Sequence, residues 1–291
     1  MPRSIEEGFD DFLVKLKAKV AETDAAKRHR ASIEACLASN FGLMRFVRIG
    51  SFGNGTSVSG YSDIDYLASI PATHLTRSSI YSLSKIRDAL DNRFPLTGVR
   101  VNTPAIAVPF GTYRSESTEI VPADYVGEVN GFKVYEIADG NGGWMRISPD
   151  SHNDYVARVD RKLGGRVKPL IRFVKAWKFY RSVPISSFYL EMRVAKYAEG
   201  ESSIVYDIDM LRVLKGLWDH QLARLQDPTG FSGYVSACKT EAQRVDALSK
   251  LSTSIVRAQK ARQAAVDANI SDSFYWWRML YGGDSFPTYY R

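Results

Sequence analysis

Two short segments carry residue types that could act together on phosphates. Eleven residues separate Gly50 and Ser51 from the run Asp63-Ile64-Asp65. The apolar run before Gly50 is typical of a strand, and a residue without Cβ then permits a tight turn. Backbone N–H groups freed by such a turn, together with the Ser51 hydroxyl, can bind the terminal phosphates of a nucleoside triphosphate. Side chains alternate along a strand, so Asp63 and Asp65 are expected on one face.

Two neighbouring carboxylates repel each other unless a cation lies between them. Oxygen ligands close to phosphates favour Mg²⁺, with Mn²⁺ as an alternative. The spacing therefore predicts a two-metal site, in which ions about 3.5–4 Å apart assist the attacking hydroxyl and the leaving pyrophosphate. Alternatively, Asp63 and Asp65 only solubilise a sheet edge, and Gly50-Ser51 is an ordinary turn. Each part is common alone, but the combination favours the metal site.

A third acid is expected on a neighbouring strand. If the strands 105–110 and 118–121 pair beside the Asp63 strand, Glu119 can face the two aspartates. Glu119 could then bind a metal or take the proton of an acceptor hydroxyl. Asp124 competes for this role, but its odd offset of five residues from Glu119 places it on the opposite face of a continuous strand. Glu116, close to the preceding turn, is the weaker rival.

Composition indicates a globular chain and excludes several classes. Hydrophobic residues make up 45% and charged residues 24% of the 291 residues, with no apolar stretch long enough to cross a bilayer. The first residues lack the pattern of a secretory signal, so we expect a cytoplasmic protein without membrane contact. The two cysteines offer neither a disulfide framework nor a zinc cluster.

The net charge of +7 is concentrated in one segment. Between residues 158 and 181 there are nine Lys and Arg residues and one acid, Asp160. This basic stripe suits polyanionic triphosphates and could also attract nucleic acid. The alternative is a solvated helix face whose long side chains cover apolar neighbours.

The pattern of elements predicts an α+β protein of two lobes. Residues 1–150 are expected to form a mixed-sheet catalytic lobe with N-terminal helices, and residues 126–147 a surface hairpin or loop over it. Residues 151–291 are expected to form a helical lobe that completes the nucleotide pocket. A long spine helix starting near Gly165 would join the lobes. Ser186-Ser187 resembles an N-cap before a short helix, and the aromatic cluster at 274–281 is expected to fill a core.

These motifs resemble the DNA polymerase beta-like nucleotidyltransferase superfamily, which includes poly(A) polymerases. Further residues narrow the likeness to the bacterial cGAS/DncV-like nucleotidyltransferases (CD-NTases), signalling enzymes of antiphage defence. They are the segments 119–123, 167–178 and 185–191, with His152 and Tyr155. The likeness covers about Arg45 to Glu191 and is consistent with the helical remainder. Glu119 departs from the aspartate usual in the family, which lengthens the arm of the third acid by one methylene.

The resemblance implies roles for residues after the sheet. Lys175 would project from the spine helix onto the donor phosphates, Ser187 would hydrogen-bond the same triphosphate, and Phe188 would stack on a nucleobase. The alternatives are that Lys175 is only a surface charge, that Ser187 is only a helix cap and that Phe188 is a core aromatic side chain. His152 is expected to be structural.

The resemblance also implies a function. A monomeric enzyme would join ATP, GTP, CTP or UTP into a cyclic di- or trinucleotide second messenger, releasing pyrophosphate, and a downstream effector would respond to the product. One rival is a transferase that places a single nucleotide on a protein, RNA or small molecule. The other is a catalytically degenerate homologue that only binds nucleotide or RNA through residues 158–181.

Overall fold

The computed structural model of the protein describes residues 3–17, 24–111 and 116–290. In these ranges the α-helices are α1 (Ile5–Leu16), α2 (Asp24–Phe41), α3 (Gly50–Asn54), α4 (Ser79–Arg93), α5 (Pro149–Lys162), α6 (Val167–Tyr180), α7 (Ser187–Glu199), α8 (Tyr206–Asp219), α9 (Glu241–Val266) and α10 (Ile270–Leu280). The strands are β1 (Arg45–Arg48), β2 (Ile64–Ser69), β3 (Arg100–Asn102), β4 (Ala105–Phe110), β5 (Glu116–Val129), β6 (Phe132–Ala138), β7 (Trp144–Ile147), β8 (Leu225–Gln226) and β9 (Tyr234–Val235). The expected combination of a mixed sheet and a helical part is confirmed.

The described chain forms two compact units, each built from separate stretches. The sheet unit contains residues 24–55, 62–111 and 116–154, and the helical unit contains residues 3–17, 56–61 and 155–290. The boundary therefore differs from the simple division into 1–150 and 151–291. Helix α1, expected with the sheet, lies in the helical unit because its buried Phe9 and Phe12 pack against Phe173 and Phe286.

The sheet unit is organised around strand β5. The strand order is β1-β2-β5-β4-β3, and the C-terminal half of β5 also pairs with β6, which pairs with β7. Among the strand pairs of the described residues in this sheet, only β2 and β5 run parallel, and the other pairs are antiparallel. Strand β4 is buried along its whole length, which explains why its run of apolar residues could be read directly from the sequence. The segment after 126, expected as a hairpin or loop, forms the end of β5 with β6 and β7.

The helical unit has α6 at its centre. Nine of the fourteen residues of α6 are buried, and the Asp160 carboxylate accepts hydrogen bonds from the first two backbone N–H groups of the helix, at 2.9 Å each. Such a carboxylate satisfies donors that a helix start otherwise leaves unpaired. Helix α6, the expected spine helix, lies wholly in the helical unit. Helix α5 is the one whose residues are divided between the two units.

Two further expectations concern the helical unit. Phe274, Trp277 and Tyr281 are fully buried, which confirms the expected core role for most of the aromatic cluster, whereas Tyr275 is half exposed. Helices α8, α9 and α10 agree with the expected helical character of this part of the chain, and the short β8–β9 ribbon was not anticipated. No helix of the described residues is both long and apolar enough to cross a membrane.

Candidate functional site

Gly50 packs directly against Asp65 in the sheet unit. The Ile49 N–H donates to the Asp65 carbonyl oxygen at 2.8 Å, which fixes the end of β1 beside the start of β2. Gly50 has a φ of +60°, and a Cβ at this position would lie 2.1 Å from Asp65 Oδ2. The residue therefore has to be glycine for two reasons, a left-handed backbone and a carboxylate in the space of the missing side chain. Ser51 follows in the short helix α3, where the sequence suggested only a turn.

Asp65 and Glu119 lie opposite each other on neighbouring parallel strands. The register aligns Asp65 of β2 with Glu119 of β5, and Glu119 with Ala107 of β4. Aligned residues project to the same side of a sheet, so both carboxylates share a face. The expected pairing of residues 105–110 and 118–121 beside β2 is confirmed. Asp63 directly precedes β2 and is exposed.

The strand register also distinguishes Glu119 from Asp124 and Glu116, the other candidates for the third acid. Asp124 lies in the part of β5 that pairs with β6, where it is aligned with Glu136 and not with a residue of β2. Burial and the nearby Glu136 carboxylate raise the pKa of Asp124. The side chain of Glu116 lies outside the described residues. Of these three acids, Glu119 is the one that the register places beside Asp65.

The donor types of these carboxylates suit a metal ion. The acids of β2 and β5 offer only oxygen donors, which suits Mg²⁺, and the missing Cβ of Gly50 leaves room for the Asp65 carboxylate. In the described part of the chain, however, no three His, Cys, Asp or Glu side chains converge as a group ready to hold an ion. Asp65 and Glu119 thus fit by donor type and by their shared face, and an ion would require these two carboxylates and that of Asp63 to converge.

Lys175 is buried in the helical unit rather than projecting from it. Its side chain is 1% exposed, and Nζ lies 3.3 Å from Glu191 Oε2 and 3.5 Å from Thr56 Oγ1. The Thr56 hydroxyl also donates to Glu191 Oε2 at 2.8 Å. The charge of Lys175 is therefore balanced inside the unit. Thr56 and Glu191 gave no signal in the sequence, because their approach depends on segments 135 residues apart.

Lys178, one turn along α6, reaches the serine that the sequence singled out. Lys178 Nζ donates to Ser187 Oγ at 2.6 Å and lies 4.5 Å from the Phe179 ring centroid. Ser186 rather than Ser187 caps α7, because its hydroxyl accepts from the Tyr189 N–H at 3.3 Å. The Ser187 hydroxyl is thus not used as a cap. The neighbouring Phe188 is 37% exposed and is not a core residue.

The basic stripe of residues 158–181 is not a continuous exposed face. Arg158 lies 3.6 Å from Glu199, Arg166 lies 3.3 Å from Glu6, and the Arg172 guanidinium donates to the Ser57 carbonyl oxygen at 3.1 Å. Burial lowers the pKa of Arg172. Since Lys175 is buried as well, much of this charge serves local structure. His152 is also buried.

The architecture around these residues matches a known fold. The mixed sheet, the acids on β2 and β5 and the accompanying helices give the polymerase beta-like fold in the form found in CD-NTases, which confirms the resemblance at the level of the fold. No protein-family model matches the chain.

Solved structures with this fold cover almost the whole chain. E. coli MS115-1 CdnC, solved with ATP, has a TM-score of 0.74 and 19% identity over 97% of this chain and 98% of its own. The Bradyrhizobium diazoefficiens CD-NTase CdnG, in complex with GTP, has a TM-score of 0.72 and 12% identity over 96% and 94%. The Elizabethkingia meningoseptica CdnE cyclic dinucleotide synthase has a TM-score of 0.61 and 16% identity over 85% and 96%.

One curated relative is similar in sequence. A probable cyclic nucleotide synthase of Bacillus cereus is 27% identical over an alignment of 197 residues that covers 62% of this chain. The match spans 58% of that relative's length.

Proposed function

We propose that the protein is a nucleotidyltransferase that joins nucleoside triphosphates into a cyclic di- or trinucleotide and releases pyrophosphate. The observation that carries the proposal is the alignment of Asp65 with Glu119 on adjacent strands, with Gly50 packed against Asp65. The two acids lie on paired strands beside a short helix that begins with glycine. This arrangement suits the transfer of a nucleotide to a hydroxyl group. The names of the relatives support the same reaction.

Asp63, Asp65 and Glu119 would hold Mg²⁺, or Mn²⁺ in its place. Bound there, the ion would assist loss of the proton from the attacking hydroxyl and neutralise charge on the leaving pyrophosphate. The chain's own contribution is to fix two of these carboxylates on paired strands. Gly50 and Ser51 would bind the phosphates through the backbone and the hydroxyl group.

In the helical unit, taken by itself, further residues suit contacts to a nucleotide. Ser187 would hydrogen-bond the donor phosphates, and the partly exposed Phe188 would stack on a base. Lys178, already bonded to Ser187, would add a positive charge to the same phosphates. Lys175 could make the expected phosphate contact only if it left Glu191, and its buried pair supports a structural role in the state described.

The direct experiment offers the protein all four labelled triphosphates with Mg²⁺. We expect a phosphatase-resistant product and released pyrophosphate, and neither with the variant Asp63→Asn/Asp65→Asn. Mass spectrometry of the product gives the bases and the ring size. If the wild-type protein forms the same products as the variant and no others, the proposal is wrong.

The same reactions distinguish the other functions considered. Label that appears on an added protein, RNA or small molecule would indicate transfer of a single nucleotide to an acceptor. Calorimetry that shows tight triphosphate binding without pyrophosphate release would indicate a degenerate binding protein. RNA affinity that falls steeply with salt would favour that last function further.

The cellular role follows from the proposed product. A cyclic nucleotide made in the cytoplasm would act on a downstream effector that recognises it, in the manner of antiphage signalling. The protein is expected to act as a monomer. Coexpression with a candidate cyclic-nucleotide-responsive effector, followed by phage challenge, would test this role.

A further inference from the structure

Asn102 forms a hydrogen bond with the third acid of the candidate site. Its side-chain amide donates to Glu119 Oε1 at 2.6 Å. Asn102 is the last residue of β3, which is an edge strand of the sheet, whereas Glu119 lies on β5 with β4 between them. The bond therefore crosses an entire strand.

The residues of β4 make this reach possible. Asn102 is aligned with Ala105, and Glu119 with Ala107, so all four side chains project to the same face of the sheet. Neighbouring strands are about 4.8 Å apart, and the two residues are offset by two positions along the strands, so Asn102 and Glu119 start roughly 12 Å apart. The two intervening alanines have small side chains, so the longer side chains on either side can meet over them.

This contact gives a physical reason for a glutamate, rather than the shorter aspartate, at position 119. An aspartate on β5 would be one methylene shorter and, from the same backbone position, could not reach Asn102 at 2.6 Å. The hydrogen bond fixes the direction of a carboxylate whose long side chain would otherwise sample several rotamers.

We propose that Asn102 is a positioning residue that orients the Glu119 carboxylate for its part in nucleotide transfer. The inference rests on the proposed function. Partners that hold a metal-binding carboxylate from behind commonly change metal affinity or activity about 10–100-fold when they are removed. Asn102 itself touches neither nucleotide nor metal in this scheme.

The test compares Asn102→Ala, Asn102→Asp and Glu119→Asp with the wild-type protein. Val101→Ala is the matched control, because Val101 lies on the same edge strand, is 39% exposed and points to the other face. Circular dichroism confirms that each variant folds, and the isosteric Asn102→Asp keeps the side-chain shape if Asn102→Ala perturbs the edge. The first readout is Mn²⁺ binding followed by electron paramagnetic resonance, with a non-hydrolysable ATP analogue present.

We expect Asn102→Ala to weaken Mn²⁺ binding at least tenfold and to lower kcat with little change in KM for the triphosphates. Asn102→Asp places a carboxylate against a carboxylate and should weaken Mn²⁺ binding further. Asn102→Ala added to Glu119→Asp should have no additional effect, since the shorter side chain no longer reaches Asn102. Val101→Ala should match the wild-type protein.

Three results would overturn the inference: unchanged or tighter Mn²⁺ binding by Asn102→Ala, effects of Asn102→Ala and Glu119→Asp that multiply, or no Mn²⁺ binding by the wild-type protein. The proposed function fails separately, if the wild-type protein binds Mn²⁺ in an Asn102-dependent way yet makes no product from triphosphates. That result would keep Asn102 as the residue that positions Glu119 for metal binding.

Discussion

Replacing Gly50 by alanine tests the close approach between the turn and Asp65. An added Cβ would lie 2.1 Å from Asp65 Oδ2, whereas ordinary contact begins at 3.4 Å, so the carboxylate has to move by about 1.3 Å, the difference between the two. A displacement of about 1 Å in a reacting group can lower turnover roughly 100-fold. The left-handed backbone adds a cost of about 1–2 kcal/mol in stability for any residue with a Cβ.

Gly55→Ala is the control that separates these two effects. Gly55 ends the same short helix with a φ of +70°, and a Cβ there would meet nothing within 4 Å. Both variants should therefore lose about 1–2 kcal/mol in urea denaturation. Only Gly50→Ala should lose turnover, measured as pyrophosphate release at saturating triphosphate. If Gly50→Ala keeps the turnover of Gly55→Ala, the contact with Asp65 does not matter for the reaction.

The remaining predictions concern three other side chains. Glu191→Gln leaves Lys175 buried without its counter-charge and should cost about 3–5 kcal/mol in urea denaturation, whereas a loss below 1 kcal/mol would mean that water compensates the lysine. Because the pKa of Asp124 is raised, its carboxylate binds a proton more tightly in the folded state, so stability falls as the pH rises through the range above its ordinary pKa. Asp124→Asn should therefore raise Tm at about pH 7 and leave it unchanged at about pH 3, with turnover retained; loss of turnover would make Asp124 the third acid. Lys178→Met should raise KM for triphosphates roughly tenfold or more with kcat nearly intact, and an unchanged KM would exclude Lys178 from phosphate binding.

The sequence was most informative where a residue type is dictated by backbone geometry or by burial. The predicted β4 agrees with the observed strand end to end, because a run that is buried on both faces reads as continuously apolar. The spacing of Gly50 and Asp65 likewise reflects one local contact between the end of β1 and the start of β2. Such signals stay within a short stretch of chain.

Features that depend on distant segments could not be read in this way. The bond from Asn102 to Glu119 needs the register of three strands, and the buried cluster of Lys175 needs Thr56, which comes from a stretch far earlier in the chain. The spacing along α6 gives no means to decide which lysine is buried and which reaches Ser187. The assignment of α1 to the helical unit depended on aromatic partners more than 160 residues away.

The packing of α1 has a consequence for how the protein is made. Phe9 lies near the start of the chain, and its ring contacts that of Phe286, with centroids 5.2 Å apart. At a synthesis rate of about 5–20 residues per second, the first helix waits roughly 15–55 s on the ribosome for this partner. The sheet unit, complete by residue 154, emerges well before then. The acids of the sheet can therefore be in place while the amphipathic α1 still exposes its aromatic face.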